Sequence, residues 1–206
     1  MTRPSTSRLR KPRLAAAAAA ALASLALSGC ISFGPKPPDN LFRLTPAEVA
    51  PAGATASGSL TDAIAVLDLE ADRSLDVMRV PVTVDASNVA YLKDALWLER
   101  PSRQFRSLLA ETLRARTGRL VVEGGDFEVT GKTLIGGRLL QMGYDAPSGS
   151  VVVRFDAMRS EAKGRIESRR FEARVSGIEP KAVAVGPALN QAANDVARQV
   201  ADWLKA

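Results

Sequence analysis

The sequence predicts an α/β or α+β fold in which two main helices pack on a mixed, largely antiparallel sheet, forming a single domain behind a leader and a tether. Three observations carry this prediction. Short apolar runs of strand character recur from position 63 onward, and a 3.6-residue apolar period appears twice, near 101–118 and 187–204. The last three strand-like runs follow one another with only turns between them, which makes that part antiparallel. With 206 residues, 46% apolar and 24% charged, the chain has room for one ordinary domain plus appendages.

Taking the elements in order, positions 63–69 (AIAVLDL) are apolar on both faces, which predicts an interior strand. Met78, Val80, Val82 and Val84 alternate with Arg79, Pro81 and Thr83, giving a strand with one buried face. Pro81 has no N–H to give a ladder, so that strand is expected at an edge. Pro101 suits a first helical position and Gly118 a helix end; Phe105, Leu108, Leu109, Thr112 and Leu113 share a face between them. Arg103, Arg106, Arg114 and Arg116 are expected on the solvated side of that helix. Positions 119–123 offer a short strand, and 134–144, 150–158 and 165–175 offer three more. The first two of these three are joined by Asp145-Ala146-Pro147-Ser148-Gly149, and Lys163-Gly164 turns into the third. Gly136-Gly137 signals a bulge or a close backbone approach. A closing helix is expected from Pro187 to Leu204, with Leu189, Ala193, Val196, Val200 and Trp203 on its inner face.

The N-terminus reads differently. Residues 1–29 run from a basic segment ending at Arg13 through an apolar stretch, 14–27, to small residues, the order of a secretory signal. A spanning helix needs about 20 apolar residues, so a transmembrane anchor is the poorer reading. The segment ends in Leu27-Ser28-Gly29-Cys30, which holds the only cysteine in the chain. That tetrapeptide resembles the bacterial lipobox. The resemblance implies diacylglycerol on the Cys30 thiol, cleavage before it and acylation of the new amine. One acyl chain gives only marginal anchoring, so more than one fits the physics. The alternative is a plain secretory signal that leaves a thiol at Cys30. Ile31, where an aspartate would argue for the inner membrane, implies the inner leaflet of the outer membrane, facing the periplasm. Residues 30–61, with Pro35, Pro37, Pro38, Pro46, Pro51 and a soft AGATASGS stretch, read as a tether of about 30 Å as a coil and about 90 Å extended. Its one interruption, Leu41-Phe42-Arg43-Leu44, is apolar enough to dock as a short strand. The domain proper is placed at 62–206.

Charge and chemistry then narrow the function. The formal charge is +6, but five of the 28 basic residues precede Cys30 and none of the 22 acidic ones does, so 23 against 22 remain beyond it. The electrostatic case for nucleic acid leaves with the leader. There is no histidine, which excludes Ser-His-Asp and Cys-His catalysis and histidine-ligated metal sites. Asp62, Asp68, Glu70, Asp72 and Asp76 cluster, but the sixth position counted from Asp68 is Arg73 where a calcium loop needs glycine. Gly131-Lys132-Thr133 lacks the earlier glycine of a phosphate-binding loop, since position 126 is Asp. Gly124-Gly125-Asp126 reads as a turn. Trp97 reads as a core anchor ahead of the first helix, and Tyr91 as a residue able to line a groove. No cofactor, metal site or catalytic residue is expected.

The ordered features, the lipobox, "NLFRL", "VAYLKDALWLERPSRQFRSLLAETLRART" and the closing "ALNQAANDVARQVADWL", resemble the ABC-type transport auxiliary lipoprotein family, to which PqiC-like proteins belong. The likeness covers most of 41–206. It implies a docking component without catalysis in an MCE-type lipid transport system. Its partners would be an MCE substrate-binding protein, a permease and an ATPase, with membrane attachment through acylated Cys30 and scope for a homo-oligomeric ring. Only Cys30 carries over as a site. Two other classes stay open on the residues alone: an envelope-structural lipoprotein, and a hydrolase using serine, lysine or carboxylates.

Overall fold

In the computed structural model the described residues are 40–59, 62–123, 133–161 and 164–205. They form β1 (Ile64–Val66), β2 (Glu70–Ala71), β3 (Arg79–Thr83), β4 (Val89–Leu96), α1 (Pro101–Thr117), β5 (Val121–Glu123), β6 (Thr133–Asp145), β7 (Ser150–Glu161), β8 (Ile166–Ser176) and α2 (Ala182–Lys205). The leader and lipobox through Cys30, with Ile31, Pro35, Pro37 and Pro38, lie outside the described residues, as do Gly124-Gly125-Asp126, Gly131, Lys132 and Lys163.

Strand β6 is the spine of the sheet. Along one edge it pairs antiparallel with β7 over its whole length, and β7 pairs likewise with β8. Along the other edge it takes three short strands in succession, all parallel: β1 at Thr133–Ile135, β2 at Arg138 and Leu139, and β3 at Tyr144 and Asp145. β5 flanks β1 in parallel and β4 flanks β3 antiparallel, completing one eight-stranded mixed sheet. The three long strands are those expected at 134–144, 150–158 and 165–175. β1 lies between two partners and all three of its residues are buried, which is why its run is apolar on both faces. Both helices pack against the sheet and against each other, so the fold is α+β. Between helices and sheet sits one core that includes Trp97, Phe105, Leu109, Leu139, Phe155 and Leu189. Phe105 of α1 meets Phe155 of β7 edge to face at 5.2 Å, and burial of each such side chain contributes about 1.5–3 kcal/mol.

Helix α1 begins with Pro101 at its first position and ends at Gly118, whose φ of 64° is the left-handed cap that only glycine adopts at little cost. Its expected inner face is buried in full. The arginine expectation is corrected: Arg103 is exposed, but Arg106, Arg114 and Arg116 are part-buried and take part in ion pairs. β3 is also not an edge. It runs between β4 and β6, with the proline accommodated because β6 pairs only with Val82 and Thr83 and the β4 register shifts beside Pro81. Val80 is buried as expected, while Met78 and Val84 are exposed. β4 was hidden in the sequence. Two steps of β3, from Arg79 to Pro81, face five steps of β4, from Leu96 back to Tyr91, and Asp94 inside that excess has φ 55°; a bulge of this kind erases the period-2 signal. α2 starts five residues ahead of the expected Pro187, which therefore stands inside the helix and withholds one N–H from its ladder.

Candidate functional site

The most constructed polar feature is the cleft between α1 and α2, and it is filled by the chain's own residues 42–50. Phe42 pairs in parallel with Trp97 beyond the end of β4: its N–H donates to the Leu96 carbonyl at 2.7 Å, and its carbonyl accepts from Leu98 at 2.9 Å. The Phe42 ring stands edge-on to the Trp97 indole at 5.6 Å. On its other side it rests on Gly186 of α2, where a Cβ would lie 3.1 Å from the ring. Glycine there makes the notch that admits the phenyl group. Leu44, buried, follows Phe42 into the core.

Beyond Leu44 the segment has no strand partner, and its backbone is satisfied by side chains. Leu44 N–H donates to Gln104 Oε1 at 2.8 Å, Thr45 N–H to Asn190 Oδ1 at 2.7 Å, Ala47 N–H to Asn194 Oδ1 at 2.7 Å and Ala50 N–H to Glu111 Oε1 at 2.8 Å. Asn194 Nδ2 returns a bond to the Thr45 carbonyl at 3.0 Å. Of these groups only the Leu44 N–H is buried, while the others are part-buried or exposed, and side chains of both helices bind them all. Arg116 of α1 closes the arrangement. It grips Glu48 of the segment at 2.8 and 3.1 Å and Asp202 of α2 at 2.7 Å. These two carboxylates, Asp202 first, raise the arginine's pKa above its ordinary value, so its charge is fixed at any relevant pH.

This strap was only partly foreseen. The sequence offered Leu41-Phe42-Arg43-Leu44 as a docking strand, and the bridge to Trp97 answers to that. It gave no account of Gln104, Asn190, Asn194 or Gly186. The usable signal was two amides, Gln104 and Asn194, on faces that are otherwise apolar; both are buried. Trp97 is 2% exposed, the anchor it was expected to be. Tyr91 lies under the Arg79 guanidinium at 4.3 Å.

The sheet face turned away from the helices carries a lattice of paired charges. Glu70, Arg138, Asp156 and Arg170 stand in register across β2, β6, β7 and β8, alternating in sign. Arg170 binds Asp156 in a two-bonded pair at 2.6 and 2.7 Å, which lowers the carboxyl's pKa and raises the arginine's. Gly137 lets β6 approach β7 here: its φ is 141°, and a Cβ would collide with the Asp156 carbonyl oxygen. Of the carboxylates singled out in the sequence, Asp68, Glu70 and Asp76 line one open pocket together with Arg73, Arg100, Arg103, Arg106 and Arg138, so arginines interleave with them. Asp68 pairs with Arg106 and Asp76 with Arg100, both acids being well exposed, and Asp72 caps a short 3-10 turn at Ser74. Among the described residues no group of three or more potential metal ligands occurs, and no helix is long and apolar enough to cross a membrane.

Comparison with known proteins places this architecture. Among solved structures, an uncharacterised protein superposes with a TM-score of 0.61 at 12% identity, over 80% of this chain and 99% of its own. A Xanthomonas campestris protein assigned to the DUF330 family does so with 0.59 at 16% identity, over 81% and 92%. At such identities these likenesses speak for the fold. No curated protein sequence matches the chain. The family profile of the ABC-type transport auxiliary lipoprotein component matches residues 42–201, beginning at the strap's Phe42 and ending within α2. The chain therefore belongs to the ABC-type transport auxiliary lipoprotein component family.

Proposed function

We propose that this protein is the lipid-anchored docking component of an MCE-type lipid transport system. Cleavage after Gly29 leaves an acylated Cys30 at the inner leaflet of the outer membrane, facing the periplasm. From there the domain meets the MCE substrate-binding protein, which works with a permease and an ATPase. The role is assembly and not catalysis, in keeping with carboxylates paired to arginines and a chain without histidine.

The observation that carries this reading is the strap. Residues 42–50, which follow the anchor in sequence, are built into the cleft between both helices. Eleven steps of chain, from Cys30 to Leu41, then separate the anchor from the domain, a reach of at most about 40 Å. A short leash on a rigid body suits a component that must hold a partner at a membrane. Replacing Cys30 with Ser should leave a precursor that takes up no palmitate and keeps residues 1–29. Cross-linking in the intact envelope should join the native protein, and not this variant, to an MCE protein. Palmitate labelling of Cys30→Ser would refute the anchor, and native cross-links only to proteins unrelated to ABC transport would refute the assignment.

A further inference from the structure

We propose that the rim around Phe42 and Trp97 is a bilayer-contacting surface that sits on the membrane to which Cys30 is attached; the proposal rests on the anchor reading above. Four of the large apolar side chains exposed among the described residues gather here: Leu41 at 48%, Met78 at 38%, Leu98 at 55% and Val183 at 81% exposure. Leu41 precedes Phe42, and Leu98 donates its N–H to the Phe42 carbonyl. Because Phe42 and Trp97 turn inward on extended backbone, their neighbours Leu41 and Leu98 face outward. The Met78 carbonyl accepts the Trp97 N–H at 2.7 Å. Val183 stands just under one helical turn ahead of Gly186, which carries the Phe42 ring. Singly exposed apolar residues are ordinary, but a cluster marks a contact surface.

The choice of occupant follows from where the chain leaves the domain. It departs toward Cys30 at Leu41, in the middle of this rim. A folded domain of this size is roughly 40 Å across, about as far as the eleven steps to Cys30 reach when fully extended. The opposite end of the molecule cannot be turned to the bilayer unless the leash is drawn tight around the domain. The rim is the face presented. Tethering within that distance gives an effective concentration near the millimolar range, so an apolar contact too weak to hold the domain alone suffices once the anchor is in place.

The test uses the full chain, acylated at Cys30 as verified by mass, in vesicles of phosphatidylethanolamine and phosphatidylglycerol carrying nitroxide-labelled acyl chains. Acylation consumes the native sulfur, so Leu98→Cys, Val183→Cys and Ile166→Cys each offer one site for an environment-sensitive fluorophore. Ile166 is exposed and pairs with Ser160, next to Arg159, which packs on Trp203 near the far end of α2. It thus lies about 30 Å from Val183. Labels at 98 and 183 should be quenched severalfold more than the label at 166, with unchanged thermal unfolding. Equal quenching at all three, or none at 98 and 183 in acylated protein, overturns the surface and leaves the anchor standing. Shielding at 98 and 183 without quenching, together with protein–protein cross-links through them, assigns the rim to another protein or a second copy and also overturns it. A chain that carries no acyl group overturns both readings.

Discussion

Asn194 shows how one residue can decide whether a stretch of chain is tether or domain. Its amide accepts from Ala47 N–H at 2.7 Å and donates to the carbonyls of Thr45 at 3.0 Å and Asn190 at 2.8 Å. A tenable alternative is that Phe42 and Leu44 hold the strap by burial alone and the amide is incidental. The two accounts separate on replacement. Asn194→Ala removes the partners of the Ala47 N–H and the Thr45 carbonyl, and because these bonds are part-buried each is worth about 0.5–1.5 kcal/mol. Urea unfolding should report a loss of that size. Hydrogen exchange should show faster amides at 45–50 while those of β6 and β7 stay protected. Unchanged exchange at 45–50 would mean that the aromatic plug does the holding. A glutamine at 104 and an asparagine at 194, each on an apolar stripe, are the traces of this arrangement in the sequence. They could not name their partners, which lie 60 and 147 positions away.

At the scale of elements, long runs bounded by turn and cap residues were legible and a short broken strand was not. β6, β7 and β8 run for eleven to thirteen residues between turns, and α1 carries a proline at its start and a glycine at its end, so each was found within a few residues of its bounds. β4 was missed because its register jump and the left-handed Asp94 spoil the alternation. β3 was placed at an edge because Pro81 argued locally, whereas the neighbouring bulge relieved it. Gly136-Gly137 signals a bulge or a close backbone approach, and Gly137 tests how much the approach it makes matters. Gly137→Ala must relieve both a φ of 141° and a collision with the β7 backbone, whereas Gly118→Ala, at φ 64° with nothing within 4 Å, must relieve only the backbone strain. The first should cost at least about 2 kcal/mol, and more than the second, which should cost about 1 kcal/mol. Equal losses in chemical denaturation would show that the β6–β7 ladder yields at that point.

Across the whole molecule, the strap changes which part of the N-terminal region sets the reach. If all of residues 30–61 were a coil, lengthening it anywhere would raise the domain above the membrane by the same amount. With residues 42–50 held by Gln104, Asn190, Asn194, Glu111 and Arg116, only chain added before Leu41 lengthens the leash. The exposed stretch 52–59 lies on the far side of the clamp and bears no load. Two insertions of the same dozen Gly/Ser residues, one between Asn40 and Leu41 and one between Gly58 and Ser59, therefore make opposite predictions. A flexible dozen spans about 20 Å root-mean-square by itself and, in series with the eleven native steps, lengthens the leash by roughly 8 Å. With the acylated chain on vesicles and the rim unseated by Leu98→Asp and Val183→Asp, energy transfer from a dye at Ile166→Cys to acceptors in the headgroups should fall for the first insertion. For the second it should stay at the parent value, because the added loop bulges from the domain surface without moving the point where the leash departs. Equal falls would show that the strap lets go when the protein is at the membrane. The seated rim and the short reach would then fail together, since both depend on Phe42 staying on Gly186 beside Trp97.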